Sequence, residues 1–250
     1  MTGAQPVGVV VVGDELLSGK RQDRHLQHVI ETTAPRGMQV GWCRYAGDER
    51  GALAQTLRQT RLDSIPVFCF GGIGATPDDQ TRQAAAAAFD TGLVPHPGAV
   101  AMIEQQFGER AYPTRIHMAD LPEGCALIPN PYNRIPGFSI DKHHFFPGFP
   151  EMAWPMLEWV LDTCYAGRRE PVAEYSVKVC DVSESDLCGL METLVERHPG
   201  ARLFSLPRLQ PERSVELGFR GQPDAARRAF DELRRELATR GLVAEPVSGA

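Results

Sequence analysis

Two short apolar runs and one mixed run, each breaking off at glycine or an acidic residue, constrain this chain more than any other feature. Val7–Val12, apolar apart from Gly8, stops at Gly13-Asp14-Glu15. The mixed run Met38–Tyr45 is followed by Gly47-Asp48, and Ile65–Phe70 stops at Gly71-Gly72-Ile73-Gly74-Ala75-Thr76-Pro77-Asp78-Asp79. An uninterrupted apolar run of this length reads as a strand buried on both faces. Asp23 precedes Leu26, Val29, Ile30 and Thr33, spaced i, i+3, i+4 and i+7. That is one face of a capped helix, ended before Pro35 and Gly37. A second helix is expected from Glu49, with Leu53 and Leu57 on one face. A third is expected from Pro77 through the alanine block at 84–88. Strand–helix–strand–helix–strand with short connections predicts parallel pairing, with helices on both sides of the sheet.

The pattern continues with a helix over Ala99–Phe107 and short strands at Ala126–Ile128, Phe138–Ile140 and His143–Phe146. A helix carrying Met152, Met156, Leu157 and Val160 closes a first domain, residues 1–167. Gly167–Pro171 reads as a linker. Beyond it, Tyr175, Val177 and Val179 alternate with polar residues, and Ser183-x-x-Asp186 is a capping-box signature before Leu187, Leu190 and Leu194. A strand is expected at Ala201–Leu206 and another around Val215, Leu217 and Phe219. A helix then starts at Pro223 and ends at Gly241. This β-α-β-β-α order predicts a small α+β domain with an antiparallel sheet over residues 172–243. The fold class is therefore α/β, a layered domain with a mostly parallel sheet, followed by a small α+β domain.

Charge narrows the function. The net charge of −6 divides into −5 over residues 1–167 and −1 beyond, so neither half has the basic excess that a nucleic-acid backbone attracts. No apolar run approaches the roughly 18–20 residues of a membrane span, and Met1–Pro6 lacks the basic start of a signal peptide. The six cysteines form no Cys-x-x-Cys pair and no zinc spacing, which reads as reduced thiols in a cytoplasmic protein.

In an open parallel sheet the C-terminal strand ends line one edge, and ligands bind there at the switch in strand order. Gly13, Asp14, Glu15, Asp48 and the 71–79 loop would meet on that edge. Gly71, Gly72 and Gly74 permit positive φ and close backbone approach, and the free N–H groups of a following helix suit an anion. Asp78 and Asp79, joined by Asp48, would then hold Mg²⁺. A purely structural reading stands beside this one: Thr76-x-x-Asp79 as a helix cap, Asp48 as cap of the Glu49 helix, and Asp14-Glu15 as a solvated turn.

Two common nucleotide motifs are excluded. Five residues separate Gly13 from Gly19, and Arg21 stands where a P-loop needs Ser or Thr. Pro77 stands where the dinucleotide fingerprint needs its third glycine. His143 and His144, adjacent on a strand, point to opposite faces and do not make a metal pair. There is no Gly-x-Ser-x-Gly nucleophile elbow.

Residues 71–79 resemble the GG-x-G-x-TPDD signature of the molybdopterin-binding-like domain. That domain occurs in molybdopterin adenylyltransferases and in the N-terminal part of competence/damage-inducible protein A, the CinA family. Gly13–Gly19 looks like that family's first loop. Leu121–Gly124, Asn130-Pro131, Pro136–Phe138 and Pro147–Met152 follow in CinA-type order. Residues 172–241 are similar in pattern to the small KH-like domain that follows there, but they lack the Gly-x-x-Gly loop that clamps nucleic acid. Other departures are Ile73 within the glycine loop, Arg24-His25 where CinA-type sequences carry Thr-Asn, and no serine-rich pterin loop near Arg115–Asp120.

The resemblance implies a three-layer fold and a Mg²⁺ site at Asp48 and Asp79, the two positions it marks as catalytic. Gly13, Asp14, Glu15, Gly71, Gly72, Gly74, Thr76 and Asp78 would bind the phosphate-bearing ligand. That ligand would be molybdopterin, or a nucleotide such as ATP or ADP-ribose. The reaction would be adenylyl transfer to molybdopterin or cleavage of an ADP-ribose-like pyrophosphate; the alternative is a non-catalytic pterin or nucleotide carrier. The resemblance also implies a homo-oligomer. A chain ending at Ala250 leaves no room for the amidohydrolase domain found in many CinA-type proteins, so deamidation is not expected.

Overall fold

Six consecutive buried positions, Val7 to Val12, make the first strand an interior one. The computed structural model describes residues 4–167, 172–210 and 212–247, in two compact units. The first comprises Pro6–Thr33 and Gln39–Gly167. Its elements run β1 (Gln5–Val12), the single turn α1 (Asp14–Leu17), α2 (His25–Thr33), β2 (Met38–Ala46), α3 (Arg50–Leu62), β3 (Val67–Phe70) and α4 (Thr81–Ala88). They continue with β4 (Leu93–Pro95), α5 (Pro97–Phe107), β5 (Asp120–Pro122), β6 (Ala126–Ile128), β7 (Gly137–Ile140), β8 (His143–Phe146) and α6 (Pro150–Cys164).

The main sheet has the order β2-β1-β3-β8-β7-β6. β1 pairs parallel with β3, and β3 with β8, whereas β7 and β6 complete the sheet antiparallel. Strand alternation sorts the residues into two cores. Val10, Val12, Val67 and Cys69 share one cluster with Leu53 and Leu57 of α3, Ala84, Ala85 and Ala88 of α4, and Ile103 of α5. Phe68 and Phe70 face the other layer, where α2 packs on α6 and His25 stacks on Phe70 at 4.4 Å. The alanines let α4 approach α3 and β5 closely. β2, at the sheet edge, is mostly half-buried, which explains its mixed composition.

The structure departs from expectation in two places here. The helix expected from Pro77 begins at Thr81. Residues 76–79 instead close their own turn: the Asp79 N–H donates to the Thr76 carbonyl at 3.0 Å. β4 and β5, an antiparallel pair of three residues each, are too short to carry a readable period.

The second unit comprises the residues after Gly167 together with Met1–Gln5 and Ala34–Met38. Its elements are β9 (Ala173–Cys180), α7 (Glu184–Arg197), β10 (Ala201–Arg208), β11 (Ser214–Gly221), α8 (Pro223–Thr239) and β12 (Ala244–Pro246). The sheet is antiparallel, in the order β10-β11-β9-β12. Val177, Val179, Val215, Leu217 and Phe219 face Leu187, Leu190, Leu194, Leu233 and Leu237. The Ser183–Asp186 capping box forms as its sequence implies. β12 is a fourth strand beyond the β-α-β-β-α pattern. The linker expected over Gly167–Pro171 lies, past Gly167, outside the described residues.

Candidate functional site

The chain passes from β1 outward to β2, then returns to the other side of β1 to form β3. The strand order therefore reverses between β1 and β3, and a crevice is expected beyond their C-terminal ends. Gly71 sits at that point with φ 102°, and a Cβ there would lie 2.3 Å from the Val12 carbonyl oxygen. Only glycine fits the approach.

On the β1–β2 side, two aspartates hold each other by their backbones. The Asp14 N–H donates to Asp48 Oδ2 at 2.9 Å, and the Asp48 N–H donates to Asp14 Oδ1 at 3.2 Å. Gly47 leaves room for this, since a Cβ there would lie 2.5 Å from Asp14 Oδ1. Asp48 does not cap α3. Glu49 does, taking the N–H groups of Gly51 and Ala52 at 2.8 and 2.6 Å. The second oxygen of Asp48 has no hydrogen-bond partner among the described residues. Burial first, then the negative charges of Asp14, Glu15 and Asp78, push the Asp48 carboxyl above the ordinary range; the Asp14 N–H opposes the shift.

On the β3 side, the glycine loop is tied down by its carbonyls. Thr81 Oγ1 donates to the Gly71 carbonyl at 2.9 Å, and the Thr81 N–H donates to that of Gly72, also at 2.9 Å. Arg82, with 3% of its surface exposed, donates to the Gly74 carbonyl at 2.8 Å. Asp79 Oδ2 takes both the N–H and the hydroxyl of Thr76, at 2.9 and 2.5 Å. A Cβ on Gly74 would lie 2.5 Å from that same oxygen. Asp78 is exposed beside it.

The end of β8 reaches the same rim. A Cβ on Gly148 would lie 3.5 Å from the Gly71 Cα. His25 Nε2 donates to the Gly148 carbonyl at 3.1 Å, which leaves Nδ1 a lone-pair acceptor, buried and unpartnered. Burial lowers the pKa of this ring.

The structure thus brings Asp14, Glu15 and Asp78 within electrostatic reach of Asp48, with Gly13 at the end of β1. Gly71, Gly72, Gly74, Thr76 and Asp79 are gathered in one hydrogen-bonded loop. Sequence reasoning missed Glu49, Arg82 and the placement of His25. No local signal marked Arg82, because its carbonyl partners lie 8 to 38 residues away along the chain. His143 and His144 lie at the far end of β8 from the rim. His143 bonds Thr60 at 2.8 Å, and His144 bonds Ser139 and Tyr165 at 2.8 and 2.7 Å. Among the described residues no three His, Cys, Asp or Glu side chains gather to hold a metal, and no helix is long and apolar enough to cross a membrane.

Residues 8–165 match the family described as "Probable molybdopterin binding domain". The chain is 32% identical over 194 residues to a CinA-like protein of Citrifermentans bemidjiense, covering 74% of this chain and 47% of that protein. It is 30% identical over 253 residues to one from an Anaeromyxobacter species, covering 97% and 60%. The chain thus spans 47–60% of the length of these relatives. The crystal structure of the Thermoplasma acidophilum protein CinA, described as of unknown function, is similar with a TM-score of 0.58 and 27% identity. That similarity covers 62% of this chain and 96% of the other.

Proposed function

The chain belongs to the molybdopterin-binding domain family, and from that membership we propose that its strand-end rim is a Mg²⁺-dependent site for a phosphate-bearing pterin or nucleotide. Two reactions suit such a site: adenylyl transfer to molybdopterin, and cleavage of an ADP-ribose-like pyrophosphate. The observation that carries the reading is the pairing of two unlike flanks across the β1–β3 switch. One is a crowd of carboxylates with a free Asp48 oxygen; the other is a glycine loop whose carbonyls are turned away.

The donor set suits Mg²⁺. This ion takes one or two carboxylates and completes its shell with water and substrate phosphate, so it needs no third protein ligand. Asp48 and Asp79 would hold it, and it would screen the carboxylates from the phosphates and stabilise charge on the leaving group. Asp14 orients Asp48 through its backbone N–H, and Thr76 orients Asp79. Glu15 and Asp78 add the negative field that makes a cation favourable there. Gly71, Gly72 and Gly74 bring the loop backbone to the phosphate, while Gly13 gives the first loop its entry.

Calorimetry with ATP, ADP-ribose and molybdopterin, each with Mg²⁺, tests the reading. Binding of at least one is expected, weakened when Mg²⁺ is chelated; binding of none would overturn it. Turnover assays with an Asp79→Asn control separate an enzyme from a carrier: a carrier binds without product in either form. The same reading places the protein in the cytoplasm as a homo-oligomer. Its second unit is then a KH-like module that packs rather than grips nucleic acid, which sedimentation and RNA retention would check.

A further inference from the structure

Arg82 is a buried cation whose hydrogen bonds go to backbone carbonyls. One terminal nitrogen donates to Gly74 at 2.8 Å, and the other to His117 and to Asp120, the latter at 3.0 Å. Its Nε is buried without a partner. Burying a guanidinium is costly, and an apolar residue of similar volume often serves stability as well or better. The arrangement of its bonds points to what the arginine does.

A peptide unit is planar and trans, so its C=O and N–H point in opposite directions. The carbonyls of Gly71, Gly72 and Gly74 are all turned toward the start of α4, by the Thr81 hydroxyl, the Thr81 N–H and Arg82. The N–H groups of Gly72, Ile73 and Ala75 must therefore face away from α4. Among the described residues none of these three donors has a partner. Gly74–Ala75 is the peptide farthest along the loop, and Arg82 is the group that fixes it. The same guanidinium fixes the 117–120 segment, where His117 Nδ1 bonds Asp120 Oδ2 at 2.9 Å. One side chain thus sets the register of two segments that are 43 residues apart between Gly74 and His117.

We infer that Arg82 is a positioning residue for anion binding, aiming the Ala75 N–H out of the glycine loop and holding residues 117–120 in register with it. The inference rests on the proposed phosphate site. It concerns a side chain that never touches the ligand.

Arg82→Lys and Arg82→Gln test it, against ADP-ribose and inorganic pyrophosphate, each with Mg²⁺. Lysine keeps the charge but cannot span three carbonyls; glutamine keeps a donor and loses the charge. Each variant is followed by thermal unfolding, by calorimetric affinity and by hydrogen exchange of the two bonded amides of the loop, Thr76 to Asp79 Oδ2 and Thr81 to the Gly72 carbonyl. Affinity is expected to fall about tenfold or more in Arg82→Gln, as for loss of an aimed donor to a charged group, and by less in Arg82→Lys. Exchange of the Thr76 and Thr81 amides should quicken in both, at a temperature where both are folded. A lower melting temperature with unchanged affinity and unchanged exchange would overturn the inference, because Arg82 would then only hold the fold. If the wild type binds neither probe, the phosphate reading fails instead. The exchange experiment then still decides whether Arg82 fixes the loop, and unchanged exchange would end the proposal. If Arg82→Gln does not fold, the lysine variant alone carries the test.

Discussion

The two flanks of the β1–β3 strand ends solve opposite electrostatic problems. Around Asp48 the chain brings carboxylates together and offsets them with a single backbone N–H each way between residues 14 and 48. Around Gly71–Ala75 it directs the three glycine carbonyls inward, using a hydroxyl, an N–H and a guanidinium. The first flank is unsatisfied by excess acceptors, the second by excess donors. A lone anion suits only the second and a lone cation only the first, so a metal–phosphate pair suits both. The flanks also differ in what they tolerate: one is built from side chains that can be exchanged, the other from backbone that cannot.

The largest expected effect breaks the glycine flank. Gly71→Ala combines a φ of 102° with a 2.3 Å approach to the Val12 oxygen. It should cost about 3 kcal/mol in urea unfolding and abolish ligand binding. Gly19→Ala, with φ 73° but open space around it, should cost only about 1 kcal/mol and leave binding intact. Equal costs would show that the close approach is not what matters.

A comparable effect belongs to the scaffold beneath both flanks. Burial pushes His143 and His144 down to about 4. A histidine depressed in the folded state favours the fold above its unfolded pKa of about 6.5, and that contribution is lost as pH falls toward 4. The loss is on the order of 3 kcal/mol for each ring. Stability measured from pH 7 to pH 4 should fall steeply in the wild type and less steeply in His144→Phe. Parallel curves would contradict the assignment.

On the acidic flank, Asp48→Asn keeps an acceptor for the Asp14 N–H while removing a charge. Turnover with Mg²⁺ should drop by about a hundredfold or more, with the fold intact. The smallest effect lies in stability. A carboxyl raised in the folded state favours the fold below its unfolded pKa and loses that contribution as pH rises through its folded value. Asp48→Asn should therefore be slightly more stable than wild type at pH 7, by about 0.5 kcal/mol or less, with the gap closing below the carboxylate range. A clear loss of stability at neutral pH would mean that the crowd of carboxylates is compensated in some other way.

The sheet was legible because burial on both faces leaves an uninterrupted apolar run, as in Val7–Val12, and because Asp23, Ser183 and Pro223 mark helix starts by local chemistry. The site loops were legible as glycine and acid at strand ends, since those residue types answer local backbone demands. What failed did so for non-local reasons. Thr76-x-x-Asp79 carries the residues of a cap, but the chain spends them on an isolated turn that ends two residues before the helix starts at Thr81. Asp48 looked like a cap until Glu49 took that place, and its real partner is 34 residues away. Arg82 bonds carbonyls up to 38 residues distant, which no window of sequence displays.

The fixed amide planes of the 71–75 loop carry a kinetic consequence. An anion-binding turn that settles into shape around its guest spends chain entropy doing so. Here that entropy is surrendered during folding, in hydrogen bonds to Thr81 and Arg82 that are already made. On the proposed phosphate reading, association at such a loop needs no later rearrangement, so changes in affinity among variants that leave the loop intact should appear in the dissociation rate.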